Sequence, residues 1–449
     1  MQTSINKSMR WFKEVPFSDV VLWDVKRYSF EKIKSQYPIV KLGLHIQEES
    51  HKVKLADFPD KEFGILGVNN KTGIFDAYKE NGVNINQAYK KMERGWLAYN
   101  PYRVNVGSIG LRMEEHENEY ISPAYVVFSC KETLLPDFLF KLFKTVRFNK
   151  VINASTTGSV RQNLTIDILK SLDIPLPPIE IQAKMLDEYY IREKSAKRLL
   201  SKSEVYKNDI EKYILKSLGL RIPPTKTKSR NLQFSSFSNL ARWDVLSSDL
   251  RIQKYLSETK YPLKTLGSVY NFVNRSWKKI LHKNEYFQYI ELGNIDPILG
   301  ISELNQVEVK EAASRATQTV KTDDLIIGTT RPYLKRFAIV EEIHNGCVCS
   351  SGFSVIEHSK KYNLFYLREY LMSFYGIEQL KNRMTGGSYP AITSTELGEI
   401  RIPFPDLQIQ NKIASNLVVL KNKIFANINS SENLFIEAQM NFEENVFDL

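Results

Sequence analysis

The sequence contains few cysteines and no long apolar run. Only three of its 449 residues are cysteine, Cys130, Cys347 and Cys349. This small, odd number excludes a disulfide framework and is typical of a reducing compartment. No stretch approaches the roughly 18 consecutive apolar residues of a membrane-spanning helix, and the start of the chain lacks the apolar core and cleavage site of a secretion signal. We therefore expect a cytoplasmic protein.

The sequence also lacks the motifs of several enzyme classes. It has no G-x-x-x-x-G-K-[ST] loop, which argues against ATP-driven work by this chain. Its six histidines show no spacing typical of a catalytic triad. His344, Cys347 and Cys349 supply three soft ligands, whereas a structural zinc ion takes four. We therefore predict no catalytic, cofactor-binding or metal-binding residue in this chain.

Two short strings keep an enzymatic alternative open. Asn100-Pro101-Tyr102 is similar to the N-P-P-Y tetrapeptide of adenine methyltransferases, but one proline is missing and no Gly-rich cofactor turn precedes it. Asp296, Glu308 and Lys310 follow the acid, acid, lysine order of a Mg²⁺-dependent nuclease, in which carboxylates hold the metal. A stand-alone, Mg²⁺-dependent, site-specific nuclease is therefore one alternative function.

Basic residues are in excess over acidic ones. Lys and Arg number 62 against 51 Asp and Glu, which gives a formal net charge of +11. An excess of this size indicates either a solvated basic surface or an anionic partner such as nucleic acid. A protein-interaction scaffold with incidental basicity is therefore a second alternative.

The strongest pattern is an internal repeat. T-G-S-V-R-Q-N-L-T followed by I-P-L-P-P-I-E-I-Q ends at Gln182, and T-G-G-S-Y-P-A-I-T followed by I-P-F-P-D-L-Q-I-Q ends at Gln410, an offset of 228 residues. Upstream, Trp23-Asp24-Val25 returns as Trp243-Asp244-Val245. Matches that keep the same order through both halves indicate two copies of one module of about 220 residues. The chain is therefore predicted to be an internal pseudo-dimer.

Each module has the pattern of a mixed α and β structure followed by a long helix. Alternating or β-branched runs at 125–128 and 353–356 predict strands, and the segments 134–148 and 362–380 predict helices. Beyond each repeated glutamine, apolar residues recur in steps of four and three, which is typical of a coiled-coil-like helix. A helix of about 39 residues would be roughly 58 Å long, so it should separate two domains.

The two halves, each closed by T-G-[SG], I-P-[LF]-P and a long helix, resemble the specificity subunit of type I restriction-modification systems over essentially the whole chain. In that family two target recognition domains each read one half of a bipartite double-stranded DNA target, and two antiparallel helices set their separation and dock the methyltransferase subunits. The resemblance implies a non-catalytic subunit that positions two methyltransferase subunits and the restriction and translocation subunits in a bacterial or archaeal cytoplasm. It also implies that those partners use S-adenosylmethionine, ATP and Mg²⁺, while this chain binds no cofactor.

The expected fold is α+β, with two repeated globular target recognition domains separated by two long antiparallel helices and related by an internal pseudo-two-fold. The expected ranges are 1–179 for the first recognition domain, 180–218 for the central spacer helix, 219–238 for a linker, 239–406 for the second recognition domain and 407–449 for the C-terminal spacer helix. The recognition domains should read DNA, and the helices should space and dock.

Side-chain chemistry and position in loops predict the DNA contacts, because Arg can bond guanine, Asn and Gln can bond adenine, and hydroxyls suit phosphate. In the first domain they are Tyr99, Asn100, Arg103, Ser108, Thr157, Ser159, Arg161, Gln162 and Asn163. In the second domain they are Thr329, Thr330, Arg331, Tyr333, Lys335, Arg336, Arg383, Thr385, Ser388 and Tyr389, with Arg275, Trp277, Lys278 and Lys279 as a basic-aromatic patch. A DNA reader should lose affinity as salt rises and prefer one split sequence, whereas a scaffold should do neither.

Overall fold

A computed structural model of the chain describes residues 33–103, 107–155, 163–224, 250–279 and 285–447. Contacts divide the chain into two units. Unit 1 is Met1–Lys197 with Ser431–Leu449, and unit 2 is Arg198–Ser430. Each unit therefore holds one repeated module together with parts of both long helices. The Trp-Asp-Val repeat and most of the expected linker lie outside the described residues.

Unit 1 combines short strands with short helices and the start of the first long helix. Its strands are β1 Ile39–Lys41, β2 Ile46–Glu48, β3 Lys52–Lys54, β4 Glu62–Asn69, β5 Gly73–Asn81, β6 Ala88–Lys91, β7 Leu97–Tyr99, β8 Ile109–Leu111, β9 Tyr120–Ile121, β10 Val126–Cys130 and β11 Asp173–Pro175. Its helices are α1 Pro136–Lys144, α2 Val146–Ser155, α3 Ile166–Lys170 and the first part of α4 Ile179–Leu218. The described strands form sheets in the orders β3-β6-β9-β4-β5, β2-β10-β7-β8 and β1-β11.

Unit 2 repeats this plan. Its strands are β12 Leu263–Thr265, β13 Phe272–Val273, β14 Tyr286–Ile290, β15 Ile295–Asp296, β16 Gly300–Ile301, β17 Gln306–Glu308, β18 Ala316–Thr319, β19 Leu325–Gly328, β20 Phe337–Ile339, β21 Val348–Ser350, β22 Phe353–Ile356 and β23 Arg401–Pro403. Its helices are α5 Leu250–Leu256, α6 Leu266–Val269, α7 Leu364–Met372, α8 Phe374–Arg383, α9 Ser394–Gly398 and the first part of α10 Leu407–Val446. The described sheets have the orders β13-β22-β19-β20, β17-β14-β21-β18, β12-β23 and β15-β16.

The repeat in the sequence is a repeat of fold. The sheet β2-β10-β7-β8 of unit 1 returns in unit 2 as β13-β22-β19-β20, and the pair β1-β11 returns as β12-β23. The strands predicted at 125–128 and 353–356 are confirmed as β10 and β22. Both units are α+β, as the sequence predicts.

Each of the two predicted module helices is broken in two. The sequence predicts single helices at 134–148 and 362–380, but α1 and α2 are separated at Thr145, and α7 and α8 are separated at Ser373. Both residues have an extended backbone, and their hydroxyls donate to carbonyl oxygens three residues earlier, at 2.7 and 2.6 Å. Hydroxyls that bond the nearby backbone compete with helix continuation. Apolar periodicity does not reveal a stop of this kind.

The long helices lie where their periodicity predicts them, at α4 and α10. α4 ends in a Schellman motif, in which Gly219 takes a φ of 72°. There the Leu220 N–H donates to Leu215 O (2.8 Å) and the Gly219 N–H donates to Lys216 O (3.2 Å). Residues 448–449 of the expected C-terminal helix lie outside the described part of the chain. None of the described helices combines the length and apolarity needed to cross a membrane.

Within each unit, α4 and α10 run antiparallel. In unit 1, Ser431 Oγ donates to Ala196 O (3.1 Å), while the ring of Phe442, further along α10, lies 6.2 Å from that of Tyr189, earlier in α4. The corresponding contacts in unit 2 join Asn416 to Tyr213 and Lys423 to Tyr206. Both helices contribute apolar residues to the core of each unit.

A fully buried glutamine joins the start of each long helix to its module. In unit 1, Gln182 accepts from the Leu135 N–H (2.9 Å) and donates to Thr133 O (3.0 Å) and Pro177 O (2.8 Å). In unit 2, the equivalent contacts join Gln410 to Asn363 N–H and Pro405 O. The last residue of the repeated motif is therefore a structural one.

A buried ion pair links α1 to α4 and α7 to α10, with opposite polarity in the two units. Lys141 Nζ lies 4.0 Å from Glu193 Oε1, and Lys421 Nζ lies 2.8 Å from Glu369 Oε1. Burial lowers the pKa of Lys141. Burial opposes ionisation of Glu369, but the charges of Arg368 and Lys421 lower its pKa. The ion pair therefore joins equivalent helices in both modules, but the basic residue is on the short helix in unit 1 and on the long helix in unit 2.

Candidate nucleic-acid interface

Two loops of unit 2 are hydrogen-bonded to each other next to the end of strand β19. Loop A, residues 329–335, follows β19, and loop B, residues 384–391, follows α8. The Arg331 N–H of loop A donates to Pro390 O of loop B at 2.8 Å. Residues that are far apart in sequence and were each predicted to contact DNA are therefore held in one place.

Loop A keeps an unusual backbone at its basic residues. Among the described non-glycine residues, positive φ values occur at Asp323, Arg331 (49°) and Lys335 (57°). The Arg331 guanidinium lies 4.9 Å from the ring centre of Tyr389, and its Nη2 donates to Ser388 O at 3.0 Å. A positive φ costs conformational energy in a residue other than glycine. It persists where the surrounding structure holds it in place, often at functional sites. Tyr389 itself is 73% exposed.

A cavity of about 490 Å³ opens beside these loops, and its lining residues are Arg315, Thr329, Thr330, Ser351, Gly352 and Tyr389. Sequence reasoning singled out three of these six residues and missed Arg315, Ser351 and Gly352. Arg315 and Ser351 are brought together by the pairing of β18 with β21, and the Ser351 N–H donates to Arg315 O at 2.8 Å. No local sequence signal marks them, because the pairing joins segments more than 30 residues apart.

Apart from the basic-aromatic patch at 275–279, the remaining candidates of the second domain lie on the two loops or at their ends. Arg383 is at the last position of α8, and its Nη2 lies 3.5 Å from Glu399 O. Thr385 closes loop B through paired backbone bonds with Ala391. Tyr333 and Lys335 lie on loop A, Arg336 directly follows it, and Ser388 lies on loop B.

Unit 1 has a similar arrangement after β7. There Asn100 Oδ1 accepts from the Tyr102 N–H (3.0 Å), and the Leu164 N–H donates to Pro101 O (3.0 Å). Arg103 is exposed and Asn163 is half-buried. The candidates Thr157, Ser159, Arg161 and Gln162 lie outside the described residues.

Tyr99 and Ser108 are core residues, which corrects their selection as DNA contacts. Tyr99 has no exposed surface, its hydroxyl donates to Leu164 O (3.0 Å), and burial raises its pKa. Ser108 is 5% exposed. The Tyr99 ring belongs to the apolar core of unit 1, where its centre lies 6.2 Å from that of Phe128. Both side chains are therefore part of the interior of unit 1.

The basic-aromatic patch also differs from the prediction. The Arg275 guanidinium pairs with Asp324 (2.5 Å) and Glu357 (2.8 Å), so its charge is balanced within the fold. Lys279 Nζ donates to Lys310 O (2.6 Å). Lys278 is exposed, and the Trp277 ring packs 4.8 Å from that of Phe287. Arg275 is therefore a structural residue.

The residues of the enzymatic strings have structural roles. Asp296 Oδ1 accepts from two backbone N–H groups of the following turn, at 2.7 and 2.8 Å, and Glu308 pairs with Lys310 at 2.7 Å. The thiol of Cys349 is buried, and burial raises its pKa to about 12. No group of three His, Cys, Asp or Glu side chains in the described residues could hold a metal ion.

Comparison with solved structures shows a similar fold. A chain from work on the structural basis of complex assembly and conformational transition of the type I R-M system shares 15% identity and a TM-score of 0.55, over 93% of this chain and all of that one. An HsdS subunit from Thermoanaerobacter tengcongensis shares 15% identity, with a TM-score of 0.40 over 93% and 98% of the two chains. The type I S subunit from M. genitalium shares 14%, with a TM-score of 0.46 over 94% and 98%.

The sequence model of the type I restriction modification DNA specificity domain matches twice, at residues 32–188 and 259–434. No curated protein sequence matches this chain. The two matched segments together cover most of the chain, and one lies in each repeated module. The chain therefore belongs to the family of type I restriction-modification specificity subunits and carries two copies of its DNA specificity domain.

Proposed function

We propose that this chain reads a bipartite double-stranded DNA target, with the module of unit 1 reading one half-site and that of unit 2 reading the other. The observation that carries the proposal is the repeated site. In each unit the loop after β7 or β19 is bonded to a segment distant in sequence: the Leu164 N–H donates to Pro101 O in unit 1, and the Arg331 N–H donates to Pro390 O in unit 2. Two such sites on one chain are what a split target requires.

Loop A and loop B offer the chemistry of base and phosphate recognition. Arg331 and Arg315 supply guanidinium donors for guanine edges or phosphate, and the Thr330 hydroxyl suits phosphate. The exposed ring of Tyr389 can stack on a base or sugar. Because Arg331 is already held against Tyr389, little side-chain freedom is lost when it binds.

The family match supports DNA reading over a scaffold or a stand-alone nuclease. We propose that the chain contributes no catalytic group and that two methyltransferase subunits and the restriction and translocation subunits assemble on it. Those partners would bind S-adenosylmethionine, ATP and Mg²⁺. As the family resemblance implies, the complex would act in the cytoplasm of a bacterium or an archaeon.

The test is to co-express the chain with its methyltransferase subunit and map modified adenines by single-molecule sequencing. A split motif with a fixed unspecified spacer is expected. In purified complex, Arg331→Ala should weaken DNA binding by about 1–3 kcal/mol and relax base preference in the second-module half-site only. Arg401→Ala is the matched control, because Arg401 is exposed on β23 and does not line the cavity. An Arg331→Ala complex with unchanged affinity and motif would refute this placement of the site.

A further inference from the structure

The short helix before loop B is capped by a residue from a long helix. α8 begins at Phe374, and its first N–H donates to Glu211 Oε1 of α4 at 2.8 Å. Ser373, at the usual capping position, does not cap α8 with its side chain, and its hydroxyl donates back to Tyr370 O. Glu211 satisfies the N–H of the first residue of α8, which has no partner within the helix.

In unit 1 a carboxylate from the other long helix also caps a short helix, although here Thr145, the residue before α2, accepts from the Phe148 N–H as well (3.2 Å). α2 begins at Val146, and Glu443 of α10 accepts from the Val146 N–H (3.2 Å) and the Arg147 N–H (3.0 Å). Glu443 is 15% exposed, and its carboxylate also lies 3.7 Å from Arg147 Nε. One turn earlier on α10, Gln439 donates to Lys144 O, the last residue of α1, at 2.9 Å. A carboxylate at a helix N-terminus is favoured by the helix dipole as well as by these bonds.

The capping is crossed between the modules. Glu211 lies on the helix that follows the first module, yet it caps a helix of the second module within unit 2. Glu443 lies on the helix that follows the second module and caps a helix of the first within unit 1. Each recognition module therefore depends on a side chain encoded with the other module.

In unit 2 the capped helix leads directly to a candidate DNA loop. α8 ends at Arg383, and loop B follows with Tyr389 against Arg331. The ten residues of α8 span about 15 Å, so Glu211 does not touch loop B and acts on it through the helix. α8 is buried along Tyr375, Ile377 and Leu380, so a shift at its start would be carried to its end.

We propose that Glu211 and Glu443 are positioning residues for DNA reading. Glu211 sets α8 and loop B of the second module, and Glu443 sets α2 of the first module. This inference rests on the proposed function. It goes beyond it by predicting that the base preference of each half-site depends on a residue of the opposite module's long helix.

The experiment compares methylation motifs in cells that express the full complex with Glu211→Ala, Glu443→Ala or both. Glu211→Ala should lower base discrimination about 2- to 30-fold in the second-module half-site and leave the first intact, and Glu443→Ala should do the reverse. Glu211→Gln and Glu443→Gln keep an oxygen acceptor and should restore most of the discrimination. Glu204→Ala and Glu437→Ala are matched controls on the same helices, because both side chains are exposed.

The outcomes separate this inference from the function on which it rests. Two outcomes overturn the crossed positioning alone, provided that the unmodified complex gives a split motif. In one, none of the variants changes the motif; in the other, each single variant changes both half-sites equally. No split motif in the unmodified complex overturns the proposed function and this inference with it. Rescue by the Gln variants supports positioning, since a variant that only lowers folded yield would reduce methylation of both half-sites together.

Discussion

Replacing the buried Gln182 by leucine should destabilise unit 1 selectively. The substitution removes one acceptor and two donors that bond Leu135, Thr133 and Pro177. Each buried backbone group left without a partner costs about 1–3 kcal/mol. Water can reach the partly buried Leu135 and Thr133 groups, and the leucine side chain regains some burial energy, so we expect a net loss of about 2–4 kcal/mol.

Hydrogen exchange measured by mass spectrometry gives the stability of each unit separately. A loss of about 2–4 kcal/mol should accelerate exchange of the most protected amides of β10 and α1 by about 30- to 700-fold, since each 1.4 kcal/mol is a factor of ten. Amides of β22 and α7 in unit 2 serve as an internal reference. The equivalent Gln410→Leu should reverse the pattern, because Gln410 bonds Asn363 and Pro405 in unit 2.

The matched controls are Lys184→Leu and Lys412→Leu, two residues along the same helices and exposed. Surface substitutions of this kind usually change stability by less than about 0.5 kcal/mol. If the amides of unit 1 exchange as slowly in Gln182→Leu as in Lys184→Leu, the hydrogen bonds of Gln182 do not hold α4 to its module. Equal acceleration in both units would also refute the reasoning.

Two further predictions concern other parts of the core. Burial opposes ionisation of Glu369, but Arg368 and Lys421 lower its pKa in the folded chain. The ionised Glu369 therefore stabilises the fold at pH values above the pKa of a free glutamate, about 4.3. This contribution is lost as the pH falls through the lower pKa of the folded state. In thermal unfolding, Glu369→Gln should therefore be less stable than the unmodified chain at neutral pH. It should also lose less stability than the unmodified chain on acidification. Gly110→Ala should destabilise unit 1 by about 1–3 kcal/mol or more, because the added Cβ would lie 2.2 Å from a backbone nitrogen of β5. Gly387→Ala, whose Cβ would meet nothing within 4 Å, is its control in the same denaturation assay, and equal stability of the two variants would contradict this packing.

The candidate site shows where prediction from sequence reached its limit. Side-chain chemistry and position in the module predict Thr329, Thr330, Arg331 and Tyr389 as DNA contacts, and the structure brings these four residues close together. Arg315 was missed because only the pairing of β18 with β21 brings it to the cavity. Likewise, residue type alone could not separate a surface basic residue from one whose charge is balanced by buried or nearby carboxylates.

The sequence by itself determined the two modules, their α+β character and the two long helices. Each of these features is visible in short stretches of sequence. The signals are apolar periodicity, β-branched runs, a helix-ending glycine and the repeated motif around Gln182 and Gln410. The tertiary structure alone decided that Tyr99 is buried, that Arg275 is paired, and that Glu211 and Glu443 cap helices of the opposite module. These contacts join residues that are dozens to hundreds of positions apart, so their formation depends on how strands pair and helices pack.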